Sequence, residues 1–255
     1  MTKTTLILIF TCLLSFQAKA LITIQGQVTD KQGKPISKCD VFFNANAWID
    51  DNSVHVTCDK NGNYKAQIEP GKYNSVYVCD EDKYGKTALE FWGWNLTLDK
   101  SQTLDAQFDT MEVYSLATWA SNGGSNSLFA SFRPMSLTAA KTPTYRNKMV
   151  DGENLLLFDI TPTLTEDSIK GYVDEHPLTL VNKNWVYEKV ASCGDVPSHL
   201  DSSKGCYMPM LVVQFKKPKL SEGQHTLKID ITDSNTGDFG QGITHFVANE
   251  KGLGF

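Results

Sequence analysis

The feature that most constrains this sequence is a series of short alternating segments, separated by turn residues at intervals of about ten residues. Apolar and polar residues alternate in residues 22–29, for example, and an Asn-Gly pair at residues 61–62 lies between two further segments. A period of two places one row of side chains on each face of a strand, and Asn-Gly favours a tight hairpin. The sequence therefore predicts an all-β protein built from two β-sandwich domains.

The first 20 residues are typical of a secretory signal peptide. Lys3 provides the positive start, residues 6–14 are almost entirely apolar, and the A-x-A pattern predicts cleavage after Ala20. The apolar stretch is shorter than the roughly 20 residues that a membrane-spanning helix needs. We therefore expect a periplasmic or secreted protein with no stable membrane insertion after cleavage. The net charge of −5 argues against a nucleic-acid partner.

The cysteines predict disulfides, because an exported chain meets an oxidising compartment. Cys193 and Cys206 flank a polar loop, and closing a loop of that size would stabilise the fold by about 3 kcal/mol. Cys39, Cys58 and Cys79 would form one pair and leave one thiol over. We favour Cys39–Cys58, because both can face inward on neighbouring strands, but all three pairings are open.

Residues 21–108 carry five turn and strand motifs in a fixed order. They are residues 26–30 (GQVTD), 33–36 (GKPI), 39–41 (CDV), 57–64 (TCDKNGNY) and 70–73 (PGKY). This segment resembles the carboxypeptidase regulatory-like domain, and the resemblance implies a transthyretin-like Greek-key sandwich without catalytic residues. Cys39 departs from the small residue usual there. The alternation of the last motif slips after Ser75, where we expect a bulge or a shifted edge.

Residues 109–255 contain a second set of predicted strands, among them residues 155–160, 168–173, 208–215, 226–232 and 242–247. Two stretches of this half, residues 169–178 and 220–229, look like the strands and turns of bacterial Ig-like domains. The resemblance implies a C-terminal Ig-like sandwich. The predicted organisation is therefore a signal peptide (1–20), a carboxypeptidase regulatory-like domain (21–108) and an Ig-like domain (109–255), with a loop at residues 121–125.

Trp92 and Trp94 are the candidate binding residues. On one strand they would share a face, and neighbouring flat aromatic rings can stack on sugar rings or grip an extended peptide. The alternative is that they cover the sandwich core or the interface between the domains. Leu96 and Leu98 favour this alternative, because they would continue the same face of the strand.

Two further patterns could bind metal ions, each with a structural alternative. Cys193, His199 and Cys206 could hold zinc, but no fourth ligand is visible, and the disulfide is the favoured interpretation. Residues 233–238 have the oxygen-rich spacing of a calcium loop. Thr244 stands where a full loop needs a bidentate acid, so a hairpin turn is the favoured interpretation there.

Catalytic motifs are absent from the sequence, and we predict no catalytic residue, cofactor or metal. His225 and His245 could approach each other if their strands pair. The sequence predicts an exported, non-catalytic binding protein of the bacterial envelope that recognises a protein or a glycan. One alternative is a structural or assembly subunit of a surface appendage or secretion system, which an unpaired edge strand would favour. The other is a cell-wall or peptide hydrolase.

Overall fold

The computed structural model describes residues 20–46, 49–120, 127–249 and 252–254. Apart from Ala20, the predicted signal peptide lies outside the described residues, as does the loop predicted at residues 121–125. The described part is almost entirely β-structure, which confirms the predicted fold class. The strands are β1 (Ile22–Thr29), β2 (Asp40–Asn44), β3 (Val54–Thr57), β4 (Asn63–Ile68), β5 (Gly71–Cys79), β6 (Phe91–Leu98), β7 (Gln102–Thr103), β8 (Ala106–Gln107), β9 (Met111–Ala120), β10 (Ser127–Ser136), β11 (Thr144–Val150), β12 (Glu153–Asp159), β13 (Ile169–Val173), β14 (His176–Pro177), β15 (Leu180–Val190), β16 (Cys206–Lys216), β17 (Gly223–Thr232), β18 (Phe239–Asn249) and β19 (Gly252–Gly254), with helix α1 (Leu137–Lys141) after β10.

The first sandwich consists of β1–β8. In one layer β1 pairs antiparallel with β4 and in parallel with the short strands β7 and β8, and the other layer runs β6-β5-β2-β3. The alternation predicted from the sequence is clear in β4, where Tyr64, Ala66 and Ile68 are buried and the residues between them are exposed. These side chains join Val41 and Phe43 of β2 in one hydrophobic core.

The second sandwich consists of β9–β19. One layer contains β9, β10, β16 and β15, with β12 and β11 beside β16, and the other runs β14-β13-β17-β18. Phe132, Phe215 and Ile229 belong to the core between them. Apart from Ile243, which belongs to the first core, the buried residues of the two cores divide along the chain between Phe108 and Met111. In the described part of the chain, no helix has the length and hydrophobicity that crossing a membrane requires.

The two sandwiches share one sheet. β6 of the first pairs in parallel with β18 of the second, through the residue pairs Trp92–Gly242, Gly93–Ile243 and Trp94–Thr244. A nine-stranded sheet therefore runs through both sandwiches, and Ile243 of β18 packs into the first core. The sequence predicts two sandwiches in series and does not predict this connection, because β6 and β18 are far apart in the chain.

Glycine residues let β18 lie close to β9 at this connection. A Cβ atom at Gly240 would lie 2.6 Å from the carbonyl oxygen of Met111, and one at Gly242 would lie 2.9 Å from the Cβ of Val113. A larger residue at either position would push the two strands apart, so the approach depends on glycine.

Two disulfides join the cysteine pairs favoured from the sequence. The Cα atoms of Cys39 and Cys58 are 5.0 Å apart, and those of Cys193 and Cys206 are 5.6 Å apart. Because Cys193 and Cys206 are bonded to each other, they are not available for the alternative zinc site. Cys79, at the end of β5, is a buried free thiol.

We expect Gly240→Ala to lower the free energy of unfolding by about 1–3 kcal/mol, because the added methyl group overlaps the backbone of Met111. Gly71→Ala is the matched control, since a Cβ at Gly71 meets no atom within 4 Å. Urea unfolding of both variants measures the difference. Equal midpoints for the two variants would contradict the close packing of β18 on β9.

Candidate functional site

Two strands at the junction of the sandwiches contain non-glycine residues with a left-handed backbone. Asn95 of β6 has φ 52°, and Ser115 of β9 has φ 57°. In β9 the register with β10 shifts by one residue between Tyr114 and Ala117, so Ser115 lies in a β-bulge. In β6 the ladder with β5 is interrupted where Asn95 faces Asn74. Backbone conformations of this kind are concentrated at functional sites.

The interruption at Asn95 changes which face of β6 its side chains occupy. After it, Leu96 and Leu98 lie in the first core, whereas Trp94, just before it, packs against the second core. Trp92 and Trp94 therefore lie on the opposite face from the two leucines. The prediction that Leu96 and Leu98 continue the face of the tryptophans is wrong, because Asn95 breaks the alternation.

Trp92 and Trp94 belong to an aromatic cluster, completed by Tyr77 and Tyr114, that lies between the two sandwiches. The indole rings stack with centroids 4.7 Å apart, and the Tyr114 ring meets them edge-on at 5.6 and 5.1 Å. Tyr77 lies 4.6 Å from Trp92, and the guanidinium of Arg133 lies 4.7 Å over the Tyr114 ring. Trp92 is 7% exposed, so other side chains of the protein cover its ring.

A pair of buried carboxylic acids lies beside the aromatic cluster. Glu90 and Glu112 are each 4% exposed. The Nε1 atom of Trp92 lies 3.3 Å from one oxygen of each. Burial raises the pKa of both side chains, and the negative charge of Glu90 raises the pKa of Glu112 further. Because two negative charges close together in a buried site repel each other, the raised pKa values favour a form in which the pair retains one proton, the shared proton.

A cleft opens beyond the bulge at Ser115 and the interrupted ladder at Asn95, where β5, β6, β9, β17 and β18 converge. Its volume is about 550 Å³, within the range of roughly 300–1,000 Å³ that is typical of small-molecule sites. We call it the junction cleft. It is lined by the buried rings of Tyr73 and Phe246 and by the exposed amides of Asn74, Asn95 and Gln224, among other residues.

His245 has a fixed position in the wall of the junction cleft. Its Nδ1 atom lies 3.1 Å from both the backbone nitrogen and the carbonyl oxygen of Thr97, and 2.9 Å from Nε2 of Gln224. Burial lowers the pKa of His245, so the ring is neutral at pH 7. Nδ1 therefore has hydrogen-bonding groups around it, whereas Nε2 has no hydrogen-bond partner among the described residues.

Asn74 and Asn95 lie opposite each other on β5 and β6, at the interrupted ladder position. Both are exposed, and neither side chain has a hydrogen-bond partner among the described residues. Sequence analysis expects a bulge after Ser75, and the structure has the interruption one residue before it, with the register unchanged on either side. The slip in the apolar–polar alternation after Ser75 is the sequence signal that points to these two asparagines. Motif analysis alone does not select them.

The other candidate residues do not come together in one site. Asp233 accepts a hydrogen bond from the backbone N–H of Asn235, as expected for a turn between β17 and β18. His225 lies 2.6 Å from the carboxylate of Asp174 and does not pair with His245. Within the described residues, no group of three or more His, Cys, Asp or Glu side chains could hold a metal ion.

Comparison with known proteins gives no family for this chain. No protein-family model and no curated protein matches the sequence. Among solved structures it is similar to a candidate carbohydrate-binding protein from Bacteroides uniformis, with 10% identity over 89% of this chain and 99% of that one and a TM-score of 0.28. It is also similar to the full-length major pilin SpaD of Corynebacterium diphtheriae (9% identity, 92% and 67% covered, TM-score 0.27) and to a DUF3823 family protein from Parabacteroides merdae (8% identity, 84% and 92% covered, TM-score 0.27).

We expect the buried acid pair to make stability depend on pH. Because the pKa values of Glu90 and Glu112 are raised, the folded protein binds more protons than the unfolded chain above the ordinary glutamate pKa of about 4.3. The stability that the shared proton provides is complete below that pH. It is lost as pH rises through the raised pKa, by up to about 1.4 kcal/mol per pH unit. Urea unfolding over a pH series measures this slope.

Glu112→Gln is expected to reduce the slope, because an amide can still hydrogen-bond to Glu90 and carries no charge. Glu153→Gln on β12 is the control, since that side chain is exposed. If the two variants show the same pH dependence above pH 5, the shared proton is not the cause.

Proposed function

We propose that this chain is an exported, non-catalytic binding protein of the bacterial envelope, which recognises a protein or a glycan in the junction cleft. The observation that carries the proposal is the composition of the cleft. Buried rings of Tyr73 and Phe246 lie there beside the unpartnered amides of Asn74 and Asn95. An apolar concavity between two packed units, with a few convergent polar groups, is the usual form of a binding site.

Export is supported by the two disulfides, because such bonds persist in oxidising compartments. We propose residues 21–108 as a carboxypeptidase regulatory-like, transthyretin-like domain and residues 109–255 as an Ig-like domain. The first assignment is supported by the turn at Asp59, whose carboxylate accepts hydrogen bonds from the backbone of Asn61 and Asn63. The division of the hydrophobic cores between Phe108 and Met111 supports the boundary.

In this proposal Trp92 and Trp94 support the cleft and do not contact the partner. Trp92 is covered by Tyr77, Trp94 and Tyr114, so a ligand could reach it only after the cluster separates. The two rings hold β6 against β9 just before Asn95, and the cleft begins at that residue.

We expect Ala117→Trp to weaken partner binding at least tenfold, because Ala117 is exposed in the cleft and an indole ring would fill it. The mature protein would be applied to glycan and peptide arrays and used to capture cross-linked partners from envelope extracts. Ala140→Trp is the control, since Ala140 is exposed on α1 outside the cleft. Full binding by Ala117→Trp would place the site elsewhere.

A second candidate function, a subunit or assembly factor of a surface structure, is favoured by β15. This strand of 11 residues pairs on one side with β16, and no described strand pairs with its other edge. Val181 is 57% exposed, Trp185 37% and Val186 38%. A long open edge with apolar side chains can accept a strand from another chain.

If β15 accepts a strand, the mature protein should elute as an oligomer or cross-link to an envelope partner, and Trp185→Lys should reduce the associated fraction severalfold. A lysine on an edge strand opposes strand addition. Tyr84→Lys is the control, at an exposed aromatic residue outside β15. A monomer at all concentrations, with no cross-linked partner, would count against this function.

A further inference from the structure

We infer that the junction cleft takes an uncharged carbohydrate residue, which the side-chain amides of Asn74 and Asn95 and the Nε2 atom of His245 bind. The inference rests on the proposed function, in which this cleft is the recognition site, and it adds the chemical class of the ligand. The evidence for it is the set of hydrogen-bonding atoms in the cleft that have no partner among the described residues.

The two amides form a matched pair. Asn74 and Asn95 lie opposite each other on β5 and β6, and both line the cleft. Each amide has two N–H donors and a carbonyl acceptor, so one can accept from a hydroxyl group while the other donates to its neighbour. Adjacent hydroxyl groups of a sugar ring act as donor and acceptor at once and can therefore satisfy both amides.

The third group is the Nε2 atom of His245, whose ring has a fixed orientation. The backbone of Thr97 and the amide of Gln224 contact Nδ1, which leaves Nε2 open for a ligand. The ring is partly buried and neutral, so Nε2 can form a hydrogen bond without bringing a charge into the cleft. A hydroxyl group can accept this bond from one tautomer of the ring and donate it to the other.

The remaining lining favours a neutral, partly apolar ligand. Tyr73 and Phe246 are 7% and 3% exposed, and Val247 adds an exposed apolar side chain. C–H faces of a sugar ring can pack on such surfaces. Among the described residues that line the cleft, Lys72 is the one with a full charge, and none of them has a carboxylate. A strongly charged ligand would find few groups of opposite charge in the cleft.

The left-handed backbone of Asn95 gives a clean variant for the test. Asn95→Gly removes the amide, and glycine adopts a φ near 52° without strain, so the local backbone is kept. Asn74→Ala removes the second amide from an exposed position. Asn154→Ala is the control, since Asn154 is an exposed strand asparagine on β12, away from the cleft.

The experiment applies the mature protein to an array of neutral hexose and N-acetylhexosamine oligomers, uronic-acid oligomers and peptides, followed by calorimetry with the best binder. We expect a neutral oligosaccharide to bind, with Kd raised at least fivefold by Asn74→Ala and by Asn95→Gly and unchanged by Asn154→Ala. Circular dichroism melting checks that the variants fold.

Three other results separate the carbohydrate inference from the proposed function. A peptide ligand that Ala117→Trp blocks would overturn the inference and leave the function in place. A neutral glycan whose binding is insensitive to Asn74→Ala and Asn95→Gly would overturn the assigned contacts. If Ala117→Trp leaves all binding on the array and in envelope extracts unchanged, both the inference and the proposed function are wrong.

Discussion

The short parallel pairing between β6 and β18 places the strands that build both the buried acid pair and the junction cleft. It involves three residues of each strand and makes one sheet continuous through two hydrophobic cores. The pairing brings β9 so close to β18 that Gly240 and Gly242 have no room for a side chain. The relative position of the sandwiches is therefore set by backbone contacts, which tolerate much less variation than side-chain packing alone.

The left-handed residues Asn95 and Ser115 divide this junction into a filled part and an open part. Before them, Trp94 and Tyr114 pack against each other and fill the space between β6 and β9. From Asn95 onward on β6, and at Ala117 on β9, the same strands line an open cleft. A regular strand would continue the filled junction, because its side chains would keep the same face. A small change in backbone conformation thus converts an interface into a concave surface with polar groups.

The sequence predicts local structure well and the junction poorly, for physical reasons. Period-two alternation and turn residues are local, so strands such as β4 and β17 and the hairpin between β17 and β18 are visible from a few residues. The parallel pairing and the contact between Glu90 and Glu112 join separate elements, and no local pattern encodes them. Asn95 is missed because asparagine is common in ordinary turns as well as in left-handed strand positions.

The buried acid pair has a structural consequence that apolar packing could not supply. Replacing buried polar groups by apolar ones of the same shape often costs no stability. Stability alone therefore does not explain why Glu90 and Glu112 occupy this buried position. A hydrogen bond is directional, however, and the Nε1 atom of Trp92 lies within 3.3 Å of both carboxyls. These contacts fix the orientation of Trp92, on which Trp94 stacks. Trp94 directly precedes Asn95, so the acid pair helps to hold one wall of the cleft in place.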